Sequence, residues 1–565
     1  MTATPRRSIL PTPRTARRLL LAALMLISTA IPLAQADSER AGEHLRAAEL
    51  ALEQHEYRKA AVEFRRAAKL SGKPGIARQA TRIAYTYGFN DEALESARRW
   101  VELDPGSDEA LLYLAQVQLR LGEISKARRS FTALLERGTQ PVEARLLDLL
   151  PILAQEDAKN GYRVMSQLAR RYRKTAEANY AVGVMALSAG DHAEAIERAE
   201  RAIEIDGDWI QPKLLYSRAL LLAGREDEAI DYAARIVGDD LDPDPEARLE
   251  LAVLYMSVGR DDDALSQVNQ VLLEQPSRSD ALRLMAIINF RLERLDAAQA
   301  DFEDLLGSGQ YTMDALYYLA RLADLRGDTS RALGLYMQVT SGQHVVPSQR
   351  RASVIIARDA GLDEALDHLQ SFGERHPAHA IDMILAQAQL LASRREYERS
   401  LEIYDRVAGY RPEEERVILG RSEVLLGLGR TDEAIREYRR AVRLRPDSAL
   451  ALNALGYTLT YHGDDYREAA RLIEKALELE PGNAAIIDSY GWVLYRLGRH
   501  EQALTELERA WAMLRDPEIA LHLVEVLAVL GRCDESAEML DEAIALDPEH
   551  PLLGDVRDWP ANCSD

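Results

Sequence analysis

Apolar residues recur along this chain at helical spacing, in short blocks that come in pairs. In Leu450–Pro481 the first block places Leu452, Leu455 and Leu459 on one stripe, and the second does the same with Ala469, Ile473, Ala476 and Leu477. Spacing of this kind predicts two amphipathic helices. Gly463 lies between the blocks, and Gly498 takes the same place in Ala485–Arg515. Glycine there suits the left-handed cap that ends a helix. Pro105, Pro276, Pro412, Pro446, Pro481 and Pro548 follow second blocks, where proline blocks any continuation.

One position of the second block is always small. It is filled in turn by Ala60, Ala93, Ala127, Gly161, Ala195, Ala229, Ala264, Ala298, Ala332, Ala365, Ser400, Ala434, Ala469, Ala503 and Ser536, at steps of 33, 34 or 35 residues. A fixed period in this range predicts a solenoid of stacked helix pairs. A small residue is needed where the first helix of a pair crosses the second most closely. The pattern weakens at 141–175, where Pro151 falls inside a first block and Gly161 takes the small slot. Two readings stay open there: a bend after an N-terminal group at 37–140, or a decayed but straight repeat. The main run of repeats is 176–548, and 549–565 reads as a capping tail.

These residues resemble the tetratricopeptide repeat (TPR) family. Leu455-Gly456, Gly463, Ala469, Ala476 and Pro481 fall on the family pattern, with one inserted residue near Asp464. Tyr490-Gly491, Gly498, Ala503 and Ala510 repeat it, and so do Gly429, Ala434, Tyr438, Ala441 and Pro446. The resemblance implies an all-α TPR superhelical solenoid of about fifteen helix pairs across roughly residues 40–548.

Residues 1–36 stand apart. Arg6, Arg7, Arg14, Arg17 and Arg18 precede an apolar run from Leu19 to Leu33, and Ala34-Gln35-Ala36 follows. That order predicts a secretory signal peptide cleaved after Ala36, with an uncleaved anchor as the alternative. No cysteine lies near the cleavage site, so no lipid attachment is expected. No later segment is apolar enough to span a membrane, and the expected location is the periplasm. Peripheral outer-membrane association stays open. Cleavage removes five arginines and no acids, taking the net charge from −22 to −27. A field of that sign disfavours nucleic acid, which needs a basic footprint, and favours basic partners.

The chain has two cysteines, Cys533 and Cys563. In an oxidising compartment they are expected to pair and pin the tail to the last repeat; free thiols or an intermolecular bridge are the alternatives. His376 and His379 are separated by Pro377, which argues against a shared metal-binding face. Asp240, Asp242 and Asp244 alternate like part of a calcium loop, but lack its glycine and terminal glutamate. No catalytic or nucleotide-binding motif is present, so no enzyme activity, metal or cofactor is expected.

The first blocks of two adjacent repeats carry Tyr457, Tyr461, Trp492 and Tyr495, with Asn453, Asp488 and Arg496 beside them. Aromatics with a polar rim compose many protein hot spots. Packing between repeats is the competing reading. The run Asp488–Tyr495, the leader and the continuous repeats look like long TPR lipoproteins of Gram-negative outer membranes, although the lipid-bearing cysteine is missing. One type in that group delivers cell-wall hydrolases to a carboxyl-terminal processing protease. The resemblance therefore implies a periplasmic adaptor whose partners are a serine protease and peptidoglycan hydrolases. A scaffold for envelope polysaccharide export or synthesis is the alternative.

Overall fold

The computed structural model describes residues 36–238, 243–463, 465–557 and 559, and helices are the only regular elements among them. Most of the predicted leader, residues 1–35, and the aspartates Asp240 and Asp242 lie outside these residues. The helices divide into two units, one holding the described residues up to Ile355 with His376–Ala378, the other Ile356–Arg375 with residues from His379 onward.

Both units are built from paired helices of similar length. Typical pairs are Asp108–Arg120 with Ile124–Glu136 in the first unit, and Ala484–Arg496 with His500–Met513 in the second. Most helices pack closely on their partner and on the adjacent pair. The core is accordingly a string of local clusters, such as the one around Phe131 and Met185 and the one around Ile487 and Leu507. Several first helices are started by a side chain that accepts from a free backbone N–H, as Ser107 does from Ala110 and Ser448 from Ala451, both at 3.1 Å. Such caps contribute about 1 kcal/mol each.

All fifteen small slots are buried. The serines show how close the crossing is: Ser400 Oγ donates to the carbonyl of Ala388 at 2.7 Å, and Ser536 Oγ to that of Val524 at 2.8 Å. The facing side is equally tight. A Cβ added to Gly456 would meet Ile473 at 2.5 Å and the Ala469 carbonyl at 3.0 Å. A Cβ at Gly491 would meet Leu507 at 2.7 Å.

Two turn expectations change. The left-handed residue lies five positions before the small slot, as at Gly498 (φ 76°) and Gly429 (φ 71°). Gly463 does not adopt that conformation; its φ is −112°. The inserted residue moves the slot-minus-five position to Asp464, outside the described residues. Nor is glycine obligatory: His55, Glu293 and Arg395 take the same turn position at φ 57°, 57° and 61°. In the divergent repeat, the first helix is broken into Val142–Arg145, a 3-10 turn at Leu147–Leu149, and Leu150–Leu153. Pro151 sits in the first turn of the last piece rather than mid-helix, where its missing N–H costs nothing.

Candidate functional site

The predicted aromatic residues form one continuous row in the second unit. Tyr457 and Tyr461 project from Ala449–His462 with ring centres 5.0 Å apart. Tyr461 stacks on Trp492 at 5.6 Å, and Trp492 on Tyr495 at 5.0 Å. Tyr457, Tyr461 and Tyr495 are half-buried, whereas Trp492 is only 3% exposed.

A third first helix, Pro517–Val529, completes the arrangement. Glu518, His522 and Glu525 lie at i, i+4 and i+7, which places them on one helical face. The Tyr457 hydroxyl donates to Glu518. The Tyr461 hydroxyl pairs with His522 Nε2 at 3.1 Å, and His522 Nδ1 donates to Asp488 Oδ1 at 2.9 Å. The imidazole lies flat against Trp492, 4.2 Å between centres and 16° between planes. Residues 61 positions apart thus meet across the intervening first helix. In a solenoid most contacts are with the next repeat, so this is a brace spanning two repeats.

Sequence reasoning stopped one repeat short and missed Glu518, His522 and Glu525. The available signal was the single-period step from Asp488 to His522. Arg496 does not join the row. Its guanidinium lies 4.8 Å over the Tyr466 ring and bonds the Tyr466 hydroxyl, so it ties the first helix to the second helix of the previous pair. Asn453 is close by in sequence, but its Oδ1 is buried with no hydrogen-bond partner among the described residues.

Burial opposes the charged form of His522, but the Asp488 carboxylate, together with Glu518 and Glu525, holds the imidazole above its ordinary range. Burial pushes the phenols of Tyr457 and Tyr461 well upward. Burial, with Glu525 adding to it, pushes Tyr495 up to about 12. The chain Asp488–His522–Tyr461 has the order of a carboxylate–imidazole–nucleophile relay. Activation of a nucleophile requires a depressed pKa or a base poised to take its proton. Here burial shifts the phenol the opposite way, and the neighbouring carboxylates raise the imidazole above its ordinary range. The chain is suited to holding three helices together rather than to proton abstraction.

Elsewhere, Asp244 caps Pro245–Ser257 by accepting from Glu246 N at 2.8 Å. Among the described residues, no three metal-capable side chains come together and no helix is long and apolar enough to cross a membrane. Cys533 is not a free thiol. Its expected partner Cys563 lies outside the described residues.

Comparison with known proteins agrees with the helix pairing. Tetratricopeptide repeat models match residues 78–142, 153–208 and 283–340, and residues 186–244 and 463–522. A TPR repeat model matches 424–463. The chain belongs to the tetratricopeptide repeat family. It is a protein-interaction scaffold of that family. A TPR repeat-containing protein of Pseudomonas aeruginosa is 28% identical over 455 residues, covering 80% of this TPR chain and 76% of that protein. Cellulose synthase operon protein C of Pseudomonas fluorescens is 23% identical over 494 residues, 83% of this chain but 36% of its own length. Cellulose synthase 2 operon protein C of Komagataeibacter xylinus is 26% identical, with 69% of this chain and 31% of that protein covered. The TPR chain thus spans about a third of the length of the two cellulose synthase operon proteins. Among solved structures, the APC/C hetero-tetramer Cut9–Hcn1 aligns over 94% of this chain and 98% of that one, at 16% identity and a TM-score of 0.34.

Proposed function

We propose that this TPR protein is an exported, non-catalytic adaptor of the bacterial envelope. In this reading it holds protein partners on the first-helix face of its second unit. The observation that supports it is the row Tyr457, Tyr461 and Tyr495, half-buried and fixed in place by Trp492, Asp488 and His522. Rigid aromatics that lose little entropy on contact make effective anchors. Trp492 and Asp488 act beneath the surface, and Arg496 anchors its helix through Tyr466.

Within that reading, the adaptor presents peptidoglycan hydrolases to a carboxyl-terminal processing protease. Similarity to two cellulose synthase operon proteins, over 83% and 69% of this chain, supports a second reading, a scaffold for polysaccharide synthesis or export. Affinity capture from envelope extract, with the mature chain and its Tyr495→Ser variant as baits, separates them. A serine protease together with a hydrolase, both lost with Tyr495→Ser, is the expected result. Glycan synthases in their place favour the second reading. Recovery independent of Tyr495 removes the aromatic row as the site.

A further inference from the structure

A groove lined by none of the row's aromatics lies between the last two second helices, His500–Met513 and Cys533–Leu546. Helix Pro517–Val529 packs against both and closes its base. The cavity measures about 710 Å³. Trp511, Leu523, Leu527 and Met539 give it an apolar floor. Its rim is acidic. Glu508 and Glu535 share Arg532. Glu538, Asp541 and Glu542 also line the groove and carry no ion pair among the described residues.

Those three carboxylates sit at i, i+3 and i+4, where like charges repel and destabilise the helix. A cation from outside relieves that repulsion. The groove already displays how it receives one: the Arg515 guanidinium lies 4.4 Å over the Trp511 ring, a cation–π contact. A bare metal ion is a poor occupant, since no three metal-capable side chains converge among the described residues. Each flanking helix has 14 residues, about 20 Å of groove wall, enough for three or four turns of a helix laid between them.

We infer that this groove docks a basic amphipathic helix of a partner protein, with leucine-type side chains on the Trp511–Met539 floor and lysines or arginines against Glu538, Asp541 and Glu542. The acidic field of the whole chain, net −22, steers such a segment toward it.

The test uses the full mature chain and a fluorescein-labelled peptide of Leu, Lys and Ala in helical period, with a Leu, Glu and Ala peptide as its charge-swapped control. Fluorescence anisotropy is expected to show binding of the basic peptide only, weakening as salt rises. Combining Glu538→Gln, Asp541→Asn and Glu542→Gln should reduce affinity about tenfold or more, the order expected for several interfacial charges. Ala545→Trp, at an exposed groove position, should reduce it comparably by filling the space, with the melting temperature of both variants retained. Tyr495→Ala should leave it unchanged. Equal binding of the charge-swapped peptide, or full affinity in either groove variant, overturns the inference. Loss of binding in Tyr495→Ala moves the peptide to the aromatic row and overturns it equally.

Discussion

Replacing Trp492 with alanine tests the brace most directly. The sequence left two readings open: a surface anchor whose loss weakens a partner and spares stability, or packing between repeats whose loss lowers stability. Burial of Trp492 to 3% exposure favours the packing reading for this residue. Trp492 stacks on three rings at once, those of Tyr461, Tyr495 and His522. Its Nε1 makes no hydrogen bond among the described residues, so truncation removes packing and little else. Large aromatic-to-alanine changes in a core cost about 3–5 kcal/mol, and ring-on-ring contacts account for about 0.5–1.5 kcal/mol each. We expect a loss near the lower end, about 3 kcal/mol, because the neighbouring tyrosines are half-buried and can settle into the gap. Solenoid stability is a sum of local terms, so the loss should be regional. Hydrogen exchange should accelerate in 449–529 and remain unchanged in repeats of the first unit. Trp492→Phe should recover most of the protection. Unchanged exchange across 449–462 and 517–529 in Trp492→Ala would refute the brace.

Five further outcomes are expected, three from the structure and two from the sequence. The folded pKa of His522 lies above its ordinary value of 6.5, so its pairing stabilises fully below that value and is lost as pH rises through the folded pKa. The melting temperature should therefore fall as pH rises above about 6.5, and Asp488→Asn should flatten that slope; an identical slope in the variant argues against the pairing. Ala469→Leu, at a slot with 0% exposure, should cost about 1–3 kcal/mol by overpacking, read as faster exchange in its own and adjacent repeats. Arg395→Gly should stabilise its repeat by about 1 kcal/mol, since a side chain at φ 61° is strained; a lower denaturation midpoint would contradict this. N-terminal sequencing of the exported protein should begin at Asp37, and thiol titration of that protein under denaturing conditions should find neither Cys533 nor Cys563 free.

What was legible in the sequence is what each repeat decides within itself. The crossing of the two helices of a pair joins residues about 12 apart, as Ser400 with Ala388 and Ser536 with Val524. Contacts that local recur at the period of the repeat, so the small slot and the helix pairing could be read directly. The aromatic row was half legible for the same reason. Tyr457, Tyr461, Trp492 and Tyr495 sit on equivalent faces of consecutive first helices, and helical period alone places them there. Whether that row was packing or open surface depended on a third helix. Burial of Trp492 beneath His522, and the bonds from Tyr457 and Tyr461 to a helix two repeats on, require a particular rotation between successive pairs in the second unit. That rotation is set by side-chain volumes at every interface between pairs, and no one segment encodes it. The acidic groove is of the same kind. Its floor comes from three helices and its rim from charges that read, along the chain, as an ordinary solvated face. Only the packing of Trp511 and Met539 side by side joins them into one surface.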